Sequence, residues 1–234
     1  MATLHEDGTW EVQGVRLRSP VRIRSARAAA ATYLVHADRA RALVAGTGLD
    51  LVAAAGRTPL VLALVEYRDT DLGAYAEVGV ALLARHRGRT GPYVHQLPVT
   101  QAFTMEAGRA LWGLPKWLAR TELAIEGRHA RAHLADDSGR HVLTAVLRTL
   151  PVPLPVTLPG AVTALAPHPG GVYASRVRAR VGGVRIGRGA SLVLGRGHPM
   201  ADELRALELP RRPLAVVTAD RVAFEIDTAL DVPR

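Results

Sequence analysis

Lys116 is the only lysine in this chain. Its 234 residues hold 30 lysines and arginines together, so 29 (30 − 1) are arginine. Arginine stays protonated in proteins and cannot form an imine, whereas a lysine can once desolvation lowers its pKa. Arginine-favouring composition alone would also leave a lone lysine, so its neighbours matter. Pro115 and Trp117 flank it, with Leu114 and Leu118 beyond. That is a poor setting for a solvated charge. An amine that sheds its proton there becomes a nucleophile for carbonyl carbon. Leu114, Trp112 and Met105 are the candidate apolar walls, and Trp117 and Tyr75 are further candidate substrate contacts.

Other chemistries find little support. The chain has no cysteine, which excludes disulfides and thiolate catalysis. His129 and His133 stand four apart in a stretch that alternates like a strand, with no third ligand in view, so they read as exposed histidines and no metal is expected. His95 reads as a packed strand histidine. Gly182 to Gly197 is glycine-rich but lacks the lysine and Ser/Thr of a phosphate loop. No Gly-x-Ser-x-Gly elbow occurs. No cofactor is implied.

The net charge of +9 raises the possibility of a nucleic-acid partner. The arginines are dispersed, however, and many alternate with apolar residues, as in Val15-Arg16-Leu17-Arg18 and Arg176-Val177-Arg178-Ala179-Arg180. That is the pattern of strands with one face in a core and one solvated arginine face. Aromatics make up only 4% of the chain, leaving few stacking platforms. No nucleic-acid partner is expected, though the basic field would favour an anionic substrate. No apolar run approaches the ~20 residues needed to span a bilayer, and Met1 to Trp10 lacks the pattern of a signal peptide. The expectation is a cytoplasmic protein without a membrane partner.

The elements that must position the lysine are mostly strands. Residues 14–35 read as two strands broken at Ser19-Pro20, then a short helix over Arg39 to Val44 capped by Asp38. Pro59 to Tyr67 reads as a buried strand; Ala74 to Arg85 and Tyr93 to Val99 read as a pair. A helix from Thr100 carries Phe103, Ala107, Ala110 and Leu111 on one face and ends at Gly113 and Pro115. Lys116 then falls where helix gives way to extended chain. A meander follows over 121–147. A proline-rich excursion runs from Pro151 to Pro169, strands return at 172–186 and 191–194, and a helix covers 200–207. Two strands, 214–218 and 221–226, close the chain. The fold expected is mainly β with a few short helices (β-rich α+β), an antiparallel barrel or curled sheet forming one domain over 1–234, with 1–13 poorly ordered.

The stretch Gly108-Arg109, five residues, then Pro115-Lys116 resembles the signature of the acetoacetate decarboxylase family, with Lys116 at the Schiff-base position. Asp69-Thr70, Gly73-Ala74-Tyr75-Ala76-Glu77 and Gly91-Pro92-Tyr93-Val94-His95 resemble the strands that precede it, and His198-Pro199-Met200 and Leu204 resemble the closing helix. The resemblance covers most of 15–228 and is strongest from 59 to 123. Lysine activation is already known for acetoacetate decarboxylase itself. The resemblance implies a cone-like β-barrel with the lysine inside, homo-oligomers built from dimers, and Glu77 as the glutamate near the lysine, able to hold substrate or shuttle a proton. The alternative for Glu77 is a solvated strand carboxylate. Gly108, Arg109 and Pro115 form the structural part of the motif, with Arg109 in a structural ion-pair role that holds the loop.

The chain departs from the family where charge is concerned. A second family glutamate falls at Ala63, and the arginine that would meet a substrate carboxylate falls near Ala29. Trp117 replaces a second lysine, and Ala110 the glutamate after Gly-Arg. The function expected is a Schiff-base lyase using Lys116 and Glu77 on a keto acid or other small carbonyl substrate, by decarboxylation or aldol/dehydration chemistry, in specialised metabolism and not on acetoacetate itself. The alternative is a non-catalytic small-molecule-binding barrel on the same scaffold.

Overall fold

A computed structural model describes residues 2–233. Strands β1 (Thr3–Leu4), β2 (Trp10–Val12) and β3 (Val15–Leu17) form a small antiparallel sheet. The little order expected of 1–13 thus gives way from Thr3 onward, because Val12 is fully buried and packs with Leu17 and Val21 into a core. Met1 lies outside the described residues.

Next come β4 (Val21–His36), helix α1 (Ala37–Val44), β5 (Asp50–Leu51), β6 (Arg57–Thr70), β7 (Tyr75–His86) and β8 (Arg89–Val99). Helix α2 (Ala102–Trp112) leads into β9 (Lys116–Leu118). Then follow β10 (Arg120–Glu126), β11 (His129–Ala135), β12 (His141–Arg148), β13 (Thr157–His168), β14 (Gly171–Gly187) and β15 (Gly189–Leu194). Helix α3 (Pro199–Ala206), β16 (Ala215–Ile226) and β17 (Leu230–Pro233) end the chain. The fold is mostly β, as expected.

The main sheet runs β5-β7-β6-β4-β16-β14-β13-β8-β9, and β7 also pairs with β8. The sheet therefore curls back on itself into a cone. The β13–β8 contact is a single parallel pair, Leu165↔Tyr93, so it is not a fully hydrogen-bonded barrel. A second sheet, β10-β11-β12-β15, packs on one side. Leu60, Leu62 and Leu64 of β6 meet Ile125, Leu134 and Leu143 there in one core. The other side of β6 sends Tyr67 into a second core with Tyr75, Leu111 and Trp112, roofed by α2.

Several local expectations change. The Pro59–Tyr67 strand alternates between buried and half-buried positions, because the small second core covers its other face only in part. Helix α1 starts at Ala37, and Asp38 is no cap: it lies in the first turn and pairs with Arg41. The two closing strands are one bent strand, β16, with register shifts between Ala219 and Phe224. The proline-rich excursion becomes β13 in its second half. This strand pairs with β14 along its length but has a nearly open outer edge, where a missing N–H at Pro159 or Pro167 leaves no ladder bond unmade.

Candidate active site around Lys116

Tyr67 and Tyr75 are register partners on β6 and β7, with rings stacked at 4.1 Å between centroids. Glu77 stands two residues along β7, so it points to the same face. Lys116 opens β9, which pairs in parallel with β8 through Leu97. Helix α2 lies over the gap and presents Thr104, Gly108 and Trp112, spaced one turn apart, to the lysine.

The helix ends where it does because Gly113 takes φ 63° and donates its N–H to Arg109 O, while the N–H of Leu114 donates to Gly108 O. Only glycine adopts this left-handed conformation at no steric cost. Arg109 Nε then donates to the carbonyl of Lys116 at 2.6 Å, fixing the backbone that carries the amine. The partner is a backbone carbonyl, not the carboxylate of the ion pair expected for Arg109. Pro115 is exposed and lines nothing.

The amine is 3% exposed and meets Glu77 Oε2 at 2.8 Å. It donates a hydrogen bond to Thr104 Oγ1 at 3.1 Å and stands 5.1 Å from the centre of the Tyr75 ring. Tyr67 donates its hydroxyl to the other carboxylate oxygen, Glu77 Oε1, at 2.9 Å. Burial pulls the lysine pKa down, but the Glu77 charge, helped by Tyr75, outweighs it and holds the amine above its ordinary value. The structure thus sets the Glu77 carboxyl group against the amine, a contact that the apolar flanks did not suggest. The flanks predict desolvation correctly; they say nothing of a carboxylate arriving from another strand. Tyr67 is pushed well above the tyrosine range by burial and then by Glu77. Tyr75 is raised chiefly by burial, with Lys116 opposing.

A cavity of about 60 Å³ opens on the amine, walled by Tyr75, Glu77, Trp112 and Leu114 among the expected residues. Two of the expected contacts are elsewhere. Trp117 is the next residue on β9 and points away from Lys116. Its Nε1 donates to Gln96 Oε1 and its ring packs on His198 at 5.1 Å. Met105 is half-buried against the second core and does not line the cavity, since one residue along a helix turns the side chain by ~100° from Thr104. Sequence reasoning missed Tyr67, Thr104, Leu97 and Phe224. Thr104 alone had a local signal, its place one helical turn before Gly108.

Ala63 pairs with Gly79 and so shares the Glu77 face. Ala29 does not: it pairs with Leu64 and is buried in the opposite core, so Ala28 or Ala30 holds the site-facing place on β4. A second groove, about 860 Å³, is lined by Arg22, Arg24, Arg176, Arg178 and Arg180. Arg22 and Arg178 are both register partners of Glu225, whereas Ile23 and Ala179 are both partners of Phe224. Successive strand residues face opposite ways. The arginines thus line the outside of the sheet while Ile23 and Phe224 face the lysine.

His133 shares a hydrogen bond with Thr144 and stacks on His141, His129 accepts from Arg128, and His95 bridges the Tyr93 hydroxyl to Glu203. Among the described residues no three metal-ligating side chains come together, and no helix is long and apolar enough to cross a membrane.

Comparison with known proteins bears on the fold and the family. An acetoacetate decarboxylase of Acidiphilium cryptum is 39% identical over 57 residues, which span only 23% of that protein and 24% of this chain. The solved acetoacetate decarboxylase of Legionella pneumophila superposes with a TM-score of 0.66 at 17% identity, covering 93% of this chain and 90% of that one. The enduracididine biosynthesis enzyme MppR, solved with pyruvate, gives 0.66 at 20% identity over 95% of this chain and 92% of its own. These identities speak for the fold alone. The family model for acetoacetate decarboxylase, however, matches residues 8–223, and the chain belongs to that family.

Proposed function

We propose that this protein is a Schiff-base-forming lyase in which Lys116 condenses with a small carbonyl compound and Glu77 moves the protons. The observation that carries the reading is the buried 2.8 Å contact between Lys116 Nζ and Glu77 Oε2 at the end of a cavity. Family membership and the pyruvate complex of MppR support it.

The pair explains how a buried ammonium becomes a nucleophile. Lys116 passes a proton to Glu77, and the neutral nitrogen adds to the carbonyl carbon. A proton moves from nitrogen to the carbonyl oxygen to give a carbinolamine. Its hydroxyl leaves as water with the proton returned by Glu77, and an iminium remains beside a carboxylate. That cation accepts an electron pair from a breaking C–C or C–H bond, giving an enamine. Protonation of the enamine, or its attack on a second carbonyl, and hydrolysis free the lysine. Thr104 and Tyr75 orient the nitrogen; Tyr67 holds the carboxylate so that its second oxygen faces the amine.

Assembly into homo-oligomers is part of the proposal. Leu150 at 67% and Val152 at 76% exposure begin an apolar strip that continues through Leu158 and Val162, a surface suited to another copy of the chain. Light scattering tests it, a monomer being the contrary result.

Sodium borohydride with a panel of ketones, aldehydes and keto acids tests the chemistry. The only other primary amine in the chain is its N-terminus, so peptide mapping is unambiguous. The reading predicts substrate mass on the peptide carrying Lys116, lost in Lys116→Arg while the chain still folds. No adduct at Lys116 with any member leaves the non-catalytic binding barrel.

A further inference from the structure

We infer that the Lys116 chamber is built for an uncharged carbonyl compound, a small ketone or aldehyde, and not for a carbonyl compound that carries a free carboxylate. The inference rests on the Schiff-base reading and names the substrate class for it.

The charge inventory of the walls carries the argument. Apart from Lys116 and Glu77, the cavity is lined by aliphatic side chains, Leu72, Leu97 and Leu114 among them, and by aromatic rings. The one cation already faces the one anion at 2.8 Å, so the chamber as a whole offers no net positive charge. A carboxylate entering it would lose its water, find no free cation and approach Glu77, a like charge.

The polar groups able to compensate are already engaged. Tyr67 gives its hydroxyl to Glu77, and Trp112 Nε1 donates to Asp227 O at 3.0 Å. Beside the nitrogen stand the hydroxyl of Thr104, which accepts its hydrogen bond, and the ring of Tyr75; neither brings a positive charge to meet a carboxylate. The row Ala30–Ala63–Gly79 runs across three strands on the Glu77 face without a charge. Leu97 packs over its end, 3.2 Å from where a Cβ on Gly79 would stand, so apolar bulk occupies that space. Ile23 and Phe224 border both this cavity and the arginine groove, but Arg22 and Arg178 alternate with Ile23 and Ala179 along their strands and so point away from the lysine.

With no carboxylate to lose, the electron pair for the iminium comes from elsewhere. Glu77, a carboxylate again after dehydration, takes an α-proton; the C–H pair becomes the enamine C=C bond, and the C=N pair returns to nitrogen. In a β-hydroxy carbonyl compound the Cα–Cβ bond breaks instead, and Glu77 takes the hydroxyl proton as the second carbonyl compound leaves. Both routes balance without an oxidant or reductant.

Matched pairs test the inference: pyruvamide against pyruvate, and acetoacetamide against acetoacetate. Each is incubated with the full chain and sodium cyanoborohydride at one pH, and the adduct at Lys116 is followed by mass. Each rate is divided by that of free Nα-acetyl-lysine with the same compound. The expected result is a normalised rate at least tenfold higher for the neutral member of both pairs. Equal rates, or faster trapping of the anions, overturn the inference while leaving the imine itself standing. No adduct with any of the four removes the imine reading and this one with it. Ile226→Arg places a cation on the half-buried rim and is expected to cut the neutral preference by severalfold; an unchanged ratio in the folded variant counts against the charge argument.

Discussion

Gly108 and Lys116 are fitted to one another across the helix–strand junction. A Cβ on Gly108 would stand 2.5 Å from Lys116 Cδ and 2.6 Å from Cε, so the lysine stem occupies the space that any other residue would fill. The neighbour Arg109 anchors the Lys116 carbonyl and keeps the backbone from retreating. The glycine of the Gly-Arg motif is therefore a clearance for the lysine side chain, not a helix breaker.

Gly108→Ala is accordingly expected to displace the amine from Glu77. Overpacking of this kind costs about 1–3 kcal/mol, which in a chain this size lowers the melting temperature by roughly 2–4 °C per kcal/mol. Imine trapping should fall further than stability does. Gly160→Ala, where a Cβ meets nothing within 4 Å, is the control and should melt as the native chain does. Calorimetry and trapping on the two variants check this.

The pH dependence has a definite sign. Glu77 holds the Lys116 pKa above its ordinary value, so the neutral fraction and the rate of imine formation climb towards alkaline pH. A raised pKa also means that the pair's contribution to stability is complete below the unfolded lysine value of about 10.4 and is lost as pH rises through the folded value. Glu77→Gln leaves burial, the largest influence and a lowering one, opposed by Tyr75 alone. The trapping profile should then move to lower pH, while the loss of the proton shuttle slows the maximum by about 10²-fold or more. A profile that moves to higher pH would contradict the pairing.

Tyr67→Phe keeps the ring stack on Tyr75 and removes only the donor to Glu77 Oε1. A hydrogen bond to a buried charged group contributes about 1.5–3 kcal/mol. The expected outcome is a lower melting midpoint with trapping retained at a reduced rate, measured by denaturant unfolding beside the trapping assay.

The two tryptophans flanking the motif should separate cleanly. Trp117→Phe loses a bond to Gln96 on the far side of β9 and should leave trapping within about twofold. Trp112→Phe alters a cavity wall and should slow trapping several times more than that. Side-by-side trapping rates on folded protein decide it.

Lys116 was legible in the sequence because its residue type is unique and its spacing from Gly108 matches a motif; Glu77 was legible through the same resemblance. What failed was direction. Trp117 and Met105 adjoin Lys116 and Thr104 in sequence, but a strand reverses its side chains at every residue and a helix turns them by ~100°. Ala29 failed for the same reason, one register step from Ala28 and Ala30. Tyr67 could not be seen, since it reaches Glu77 only through the β6–β7 register. The direction in which the amine's pKa moves followed suit: desolvation is written in local flanks, whereas the opposing carboxylate arrives by topology. The meander and the α2 terminus were readable because Gly113 and regular alternation leave local marks.

A lone lysine makes the central claim open to one direct measurement. Chain grown with lysine labelled at the ε-nitrogen and ε-carbon gives a single labelled side chain, that of Lys116. On adding a small ketone or aldehyde, its signal should leave the ammonium position for that of an imine, then settle as a secondary amine after reduction. A signal that stays at the ammonium position with every carbonyl compound, in folded protein up to alkaline pH, would contradict the account.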